Sequence, residues 1–404
     1  MKFHYKAQAK IGVVIEDIIE AKHEQEVIDL IRKQGATPII VEKVAQKTLS
    51  IPFLDRLFQS VSLQDKIVFA KNLARMLQAG LSVSRSLEVL VRQTHKVLLQ
   101  SIFRDIADEI NTGGSLSSGL AKHADVFSPM FIAMVRAGEE SGKIAENLLA
   151  INIQLEKTYT LRKKIKGAMM YPGVIVSAML VIGILMFMFV VPTLLNTFKD
   201  FNLDLPTSTK IIIFVSDNLQ EHTILFLGGL VAIIGGVIAM FRAPIIKPYL
   251  DYISIRIPLV GEMIKEVHTA VVARTLGSLL GSGISVHHAL EITQDVVQNV
   301  HYKKTLQDGI GYISAGGQIS QLFKEQKELY PVMVGEMVEV GEETGHVVEM
   351  LEDVATYFED EVDAKTKNLS TIIEPLLMLV IGGAVAFFAV AMMTPMYSLV
   401  GGMV

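Results

Sequence analysis

The chain has 404 residues, 50% of them hydrophobic and only 20% charged, with a mean hydropathy of +0.43. That is too apolar for an ordinary soluble protein and points to a membrane, while the length leaves room for two or three domains. A formal net charge of -5 gives no electrostatic reason to expect nucleic acid as a partner. The absence of cysteine excludes disulfides, Cys-based metal sites and thiol catalysis.

In chain order, residues 3–7, 13–19 and 37–44 have the composition of short strands, and residues 24–34 that of a helix. A small N-terminal α/β domain is therefore expected over 1–50, followed by a linker over 51–64. This opening is charged throughout and lacks a short apolar core before a small-residue cleavage site, so no signal peptide is read there. From residue 66 to 79 apolar side chains at Ile67, Val68, Ala70, Leu73, Ala74 and Leu77 line one helical face. Gly80 suits the left-handed position after that helix, and Ser82 the N-cap of the next. Gly113-Gly114 ends a further helix, Ser128-Pro129 opens one, and Gly138 and Gly142 bracket a tight connection before a long helix that starts at Ile144. Residues 65–166 thus read as a bundle of about six helices.

Residues 167–198 contain one long uncharged stretch up to Phe198 and form the first expected span. Residues 199–222 read as a loop, 223–241 as a second span stopped by Arg242, and 242–267 as a linker. A second bundle is expected over 268–370 and a third span over 371–404. Arg162, Lys163, Lys164 and Lys166 precede span one, while Arg242, Lys247 and Arg256 follow span two, so both flanks belong in the cytosol. The loop over 199–222, acidic on balance, is then outside, and parity places the C-terminus outside as well. Pro172 and Pro375 stand at the entrances of spans one and three, where each should kink or break its helix.

The two bundles are copies. At an offset of 203 residues Leu77, Gly80, Leu81, Ser82, Val83, Leu87 and Glu88 fall on Leu280, Gly283, Ile284, Ser285, Val286, Leu290 and Glu291. In the same register Gly138-Glu139-Glu140-Ser141-Gly142 meets Gly341-Glu342-Glu343-Thr344-Gly345, Pro172 meets Pro375 and Pro192 meets Pro395. Span two has no counterpart and returns the chain to the cytosol. The fold class expected is mainly α, a polytopic membrane protein with two duplicated six-helix bundles, three membrane helices and an α/β appendage.

No residue pattern reads as a catalytic or metal centre. His23-Glu24-Gln25-Glu26 offers Val27 where a second zinc ligand would stand, and His287-His288 opens an amphipathic helix. Gly113-Gly114-Ser115 and Gly316-Gly317-Gln318 follow no buried strand and lack the lysine of a phosphate loop, so they read as helix termini. The paired acids Glu139, Glu140 and Glu342, Glu343 sit beside glycines that expose them and are candidates for partner contact, or for a divalent ion. The basic cluster from Arg162 to Lys166 reads as a topology determinant with lipid headgroups or an acidic motor surface in reach.

The doubled L-x-x-G-[LI]-S-V pattern, the paired G-E-E-[ST]-G and the Tyr171-Pro172 and Glu374-Pro375 entries together resemble the type II secretion system F family, the inner-membrane platform proteins of type IV pilus and type II secretion machines. The resemblance implies a non-catalytic protein of the bacterial inner membrane with no cofactor. Its expected partners are a hexameric assembly ATPase, pilin or pseudopilin subunits, other inner-membrane assembly proteins, membrane lipid and further copies of itself. On the same resemblance Glu374, where copy one has Tyr171, would meet the N-terminal amine of a pilin helix. A small repeat-built transporter and a membrane-anchored signalling enzyme are the alternatives; the first would need ionisable groups within its spans and the second a nucleotide or nucleophile constellation.

Overall fold

The computed structural model describes residues 2–8, 14–20, 24–33, 37–43, 60–193, 206–243, 246–258 and 260–401. It divides into a small N-terminal unit and a large unit that begins at Val61. Most of the expected linker over 51–64 lies outside the described residues.

In the first unit β1 (Lys2–Gln8) is the central strand, flanked antiparallel by β2 (Val14–Glu20) and β3 (Thr37–Lys43). Helix α1 (Glu24–Lys33) buries Val27 and Ile31, one turn apart. The β1–β3 register shifts between Lys6 and Ala7, opposite Pro38, which has no N–H to give the ladder.

The second unit is helical. Copy one comprises α2 (Leu63–Gln78), α3 (Val83–Gln93), α4 (Val97–Asn111), α5 (Leu116–Ala121), α6 (Pro129–Ser141) and α7 (Ile144–Ala168). Helix α8 (Met170–Leu185) and one π turn (Met186–Val190) continue it. Next come α9 (Thr207–Glu221), α10 (Thr223–Arg242) and α11 (Lys247–Arg256). Copy two comprises α12 (Val260–Gly281), α13 (Val286–Val296), α14 (Val300–Ser314), α15 (Ile319–Glu325), α16 (Val332–Thr344) and α17 (Val347–Gly401).

Local chemistry sets these boundaries. Ser62 and Asp65 form a capping box at α2, and the Ser82 and Ser128 side chains cap α3 and α6. Gly80 and Gly283 lie at φ 87 and 84, where a β-carbon would be strained. Gly138 serves differently, since it lies inside α6 and a Cβ there would stand 3.0 Å from Ile144 Cα; at Gly341 it would stand 2.9 Å from Val347 Cα. These glycines let each fifth helix of a bundle meet the start of its sixth.

The copies share their backbone plan but fill it differently. Copy one packs Phe69, Phe103, Phe127 and Phe131 together, with Phe69 and Phe103 stacked at 4.8 Å. At the equivalent positions copy two has Val272, Leu306, Tyr330 and Val334, and its aromatic volume comes instead from Tyr302 and Phe323, both against Tyr330. The bundles are not separate bodies: one hydrophobic core runs through both.

Two helical stretches, Ile144–Thr193 and Val347–Thr394, are long and apolar enough to cross a membrane. The entrances differ from the expectation of matched breaks. The chain turns at Met169, three residues before Pro172, whereas α17 passes Pro375 as a single 55-residue helix. Proline there removes one N–H and crowds the carbonyl four residues before it, a cost that apolar spanning helices absorb through local adjustment and neighbouring donors. The segments expected as loop and linker are also more ordered: 199–222 contains α9, and 242–267 contains α11 and the start of α12.

Helix α9 joins the far ends of the two long helices. Its buried residues Thr209, Ile212, Ser216 and Leu219 form one face. The Ser216 hydroxyl donates to Phe187 O at 2.9 Å and Thr209 to Ala391 O at 2.6 Å. Both carbonyls lack their helical partner because of proline. In the π turn Val191 N–H reaches back to Met186 O, and Pro192 has no N–H for Phe187; Pro395, four residues after Ala391, has none either.

Candidate functional site

The paired acids occupy the same corner in each copy but divide their work. The Glu139 carboxylate accepts from Leu116 N at 2.5 Å and Ser117 N at 3.1 Å, and Glu342 does the same for Ile319 N at 2.6 Å and Ser320 N at 3.1 Å. Each carboxylate therefore satisfies the free N–H groups at the start of the short helix α5 or α15, with the helix dipole in its favour. Glu140 and Glu343 are exposed and make no such bond. The sequence pairs the two acids; the fold leaves one of each pair facing solvent. A recurring separation of 23 residues between acid and helix start was the available signal for this.

The basic cluster is divided likewise. Arg162, Lys163 and Lys166 are exposed, whereas Lys164 pairs with Asp363 of α17 at 3.1 Å. That bond belongs to a polar seam between the copies which sequence reasoning missed. Gln154 of α7 donates to Thr275 Oγ1 at 3.3 Å and accepts from Ser278 Oγ at 3.1 Å, and Lys157 meets Glu359 at 3.3 Å. Glu359 is also held by Arg274 through two bonds of 2.9 and 3.0 Å. Hydrogen bonds from Lys367 and then Lys164 hold the Asp363 carboxyl below its ordinary range. Arg274–Glu359 has its repeat in Lys71–Glu156, 3.2 Å apart in copy one, a correspondence hidden by the Lys/Arg exchange.

At the span entrances Tyr171 and Glu374 are both exposed. The structure does not bring Glu374 together with the acid corners. His287 and His288 both contact Glu291, and no cluster of three metal-ligating side chains occurs among the described residues. Copy two has a buried aromatic cluster in which His268 lies 4.7 Å from Tyr302, ring centre to ring centre. Burial lowers the His268 pKa to about 4, against a raising influence of Asp251. Its imidazole is neutral at pH 7.

The arrangement is thus a duplicated scaffold with two acidic corners, a buried seam and two apolar helices leaving the same body. The family profile described as "Type II secretion system (T2SS), protein F" matches residues 69–192 and again 272–395. The protein belongs to this family. The two matches stand at the 203-residue offset of the internal repeat, so the family unit is one bundle together with the apolar helix that leaves it. Among relatives, the chain is 31% identical to the type IV pilus assembly protein PilC of Thermus thermophilus over 404 residues, covering 99% of this chain and 98% of that one. It is 29% identical to the PilC protein of Myxococcus xanthus, covering 99% and 95%. With the type II secretion system protein F of Vibrio cholerae it shares 27% identity, covering 97% of each. Family members therefore carry names from both machines.

Proposed function

We propose that this protein is the non-catalytic inner-membrane platform of a type IV pilus or type II secretion type machine. In this reading its cytosolic bundles engage a hexameric assembly ATPase, and its membrane part passes pilin or pseudopilin subunits into a growing fibre. The observation that carries the reading is the continuity of each family bundle with an apolar helix. Copy one passes from α7 through Met169 alone into α8, and copy two runs through α17 without a break. A push on either bundle is then delivered to the membrane by a helix rather than a flexible linker.

The accompanying topology has three spans, with α10 returning the chain to the cytosol, the N-terminus inside and the C-terminus outside. Glu140 and Glu343 are the acids free to meet a partner, and Glu374 is the docking point for a pilin amine at the head of span three.

Three measurements test this. Reporters fused after Val61 and Lys265 should read cytosolic and one after Leu203 external; a cytosolic signal at Leu203 ends the topology. The purified protein alone should hydrolyse no nucleotide but should bind the cell's assembly ATPase, and deletion should remove surface fibres or secretion. Glu374→Gln should lower fibre output at unchanged protein level and unchanged ATPase binding, with Tyr171→Phe much milder. Hydrolysis by the protein alone, or normal fibres and secretion after deletion, would overturn the reading.

A further inference from the structure

Between α11, α12, α14 and the connection from α15 to α16 lies a half-enclosed cavity of about 650 Å³, a volume within the range of small-ligand sites. Its wall carries Arg256, Lys265, His301, Lys304 and Lys327. Lys265 is half-buried, and neither it nor Lys304 nor Lys327 forms an ion pair with a described residue. Three carboxylates share the wall, but Glu328 is held by Arg256 at 3.2 Å and Glu325 accepts from Gln321 at 3.1 Å. Asp308 is then left against three uncompensated lysines. We propose that this cavity is the binding site of a phosphate ester, whose oxygens the lysines gather from α12, α14 and the α15–α16 connection.

The basic set is no requirement of the bundle. In the 203-residue register Lys265, His301, Lys304 and Lys327 fall on Ser62, Leu98, Ser101 and Ala124, and copy one folds to the same plan with no cation at any of them. Like charges round one cavity repel one another until an anion enters, and the attraction of that anion is stronger in a half-enclosed site than at an open surface. His301 adds a second sign. Its ring packs on Tyr252 at 5.8 Å between centres, yet its Nε2 is buried with no hydrogen-bond partner, and a small rotation into the cavity would give it one. Donors that converge on one volume suit a compact group with oxygens on every side, whereas an acidic peptide needs them spread along a groove. Ile255 and Leu329 on the same wall leave apolar surface for the rest of the ester. One wall, α11, follows on the apolar helix α10, so the ester is either a soluble metabolite or a phospholipid headgroup. Asp251 of α11 accepts from Val300 N at 3.0 Å, and a bound phosphate would tie α11 to copy two more firmly. The site's chemistry is independent of the platform role.

Full-length protein in neutral detergent is titrated calorimetrically with pyrophosphate, with adenosine monophosphate and with short-chain phosphatidylglycerol. At least one of these should bind saturably and raise the melting temperature, while adenosine and a diacylglycerol of the same chain length should do neither. Pyrophosphate or the nucleotide binding marks a soluble ester, and phosphatidylglycerol alone marks a lipid headgroup. Lys265→Gln combined with Lys304→Gln should weaken binding by about tenfold or more. Lys304→Glu alone changes only an exposed side chain and should weaken it comparably without lowering the ligand-free melting temperature. Lys303→Gln is the control, because Lys303 lies on the same helix but faces Asp295, and it should leave binding within about twofold. Three results would overturn the proposal. They are no saturation by any phosphate probe at millimolar concentration, an equal loss in Lys303→Gln, which means diffuse charge, and tighter binding of an oligoglutamate peptide, which means a peptide dock.

Discussion

Thr209 donates its hydroxyl to the carbonyl of Ala391 across 182 residues of chain, at 2.6 Å, and does so because Pro395 cannot. With Ser216 on Phe187 it forms a two-point clasp between the far ends of the long helices. Thr209→Val keeps the shape and removes the bond, so it should cost about 1 kcal/mol, as should Ser216→Ala. Thr209→Ser should be close to neutral. Spin labels at the exposed Val190 and Met393 should report a longer and broader separation in the double variant; an unchanged distance would make the clasp incidental.

The acid corners give a second prediction. Glu139→Gln and Glu342→Gln leave two N–H groups of α5 or α15 with a weaker acceptor, and each should destabilise the full-length protein by about 2 kcal/mol. Charge reversal there will impair folding as well as any partner contact. Glu140→Lys and Glu343→Lys should leave the melting temperature within about 1 °C, since exposed surface changes are mild, while lowering ATPase binding. Binding unchanged in both would remove the corners from the interface.

Matched substitutions separate the two ion pairs. Arg274→Met removes two bonds from a nearly covered Glu359 and should cost on the order of 3 kcal/mol. Lys71→Met, in the more exposed repeat, should cost under about 1 kcal/mol. Chemical denaturation of the monomer in detergent checks the asymmetry, and equal costs would contradict it.

His268 makes stability depend on pH with a definite sign. Its folded pKa of about 4 lies below the ordinary histidine value of 6.5, so between those limits the unfolded chain holds a proton that the folded protein does not. Stability is therefore lost as pH falls from 6.5 towards 4, by on the order of 3 kcal/mol in total. His268→Gln should flatten this part of the melting profile, measured between pH 4 and 7.

The sequence by itself determined the duplication, its offset, the helix-ending glycines, the serine caps and the apolar stretches. Each follows from local chemistry: a left-handed position favours glycine, an N-cap favours a short side chain that can accept a hydrogen bond, and a span needs a run of apolar residues. The family was legible for the same reason, because its motifs are turns and caps repeated in register. Only the tertiary structure decided how the copies meet. The Gln154 seam, the single core and the withdrawal of Lys164 from the exposed basic cluster depend on which helix faces come together, and periodicity marks a buried face without naming what buries it. The same holds for Glu139 and Glu342, read as free acids but engaged by N–H groups 22 and 23 residues upstream, and for Pro192 and Pro395. Their missing N–H groups were plain in the sequence; that one helix, α9, supplies both replacement donors from a single face is a fact of packing.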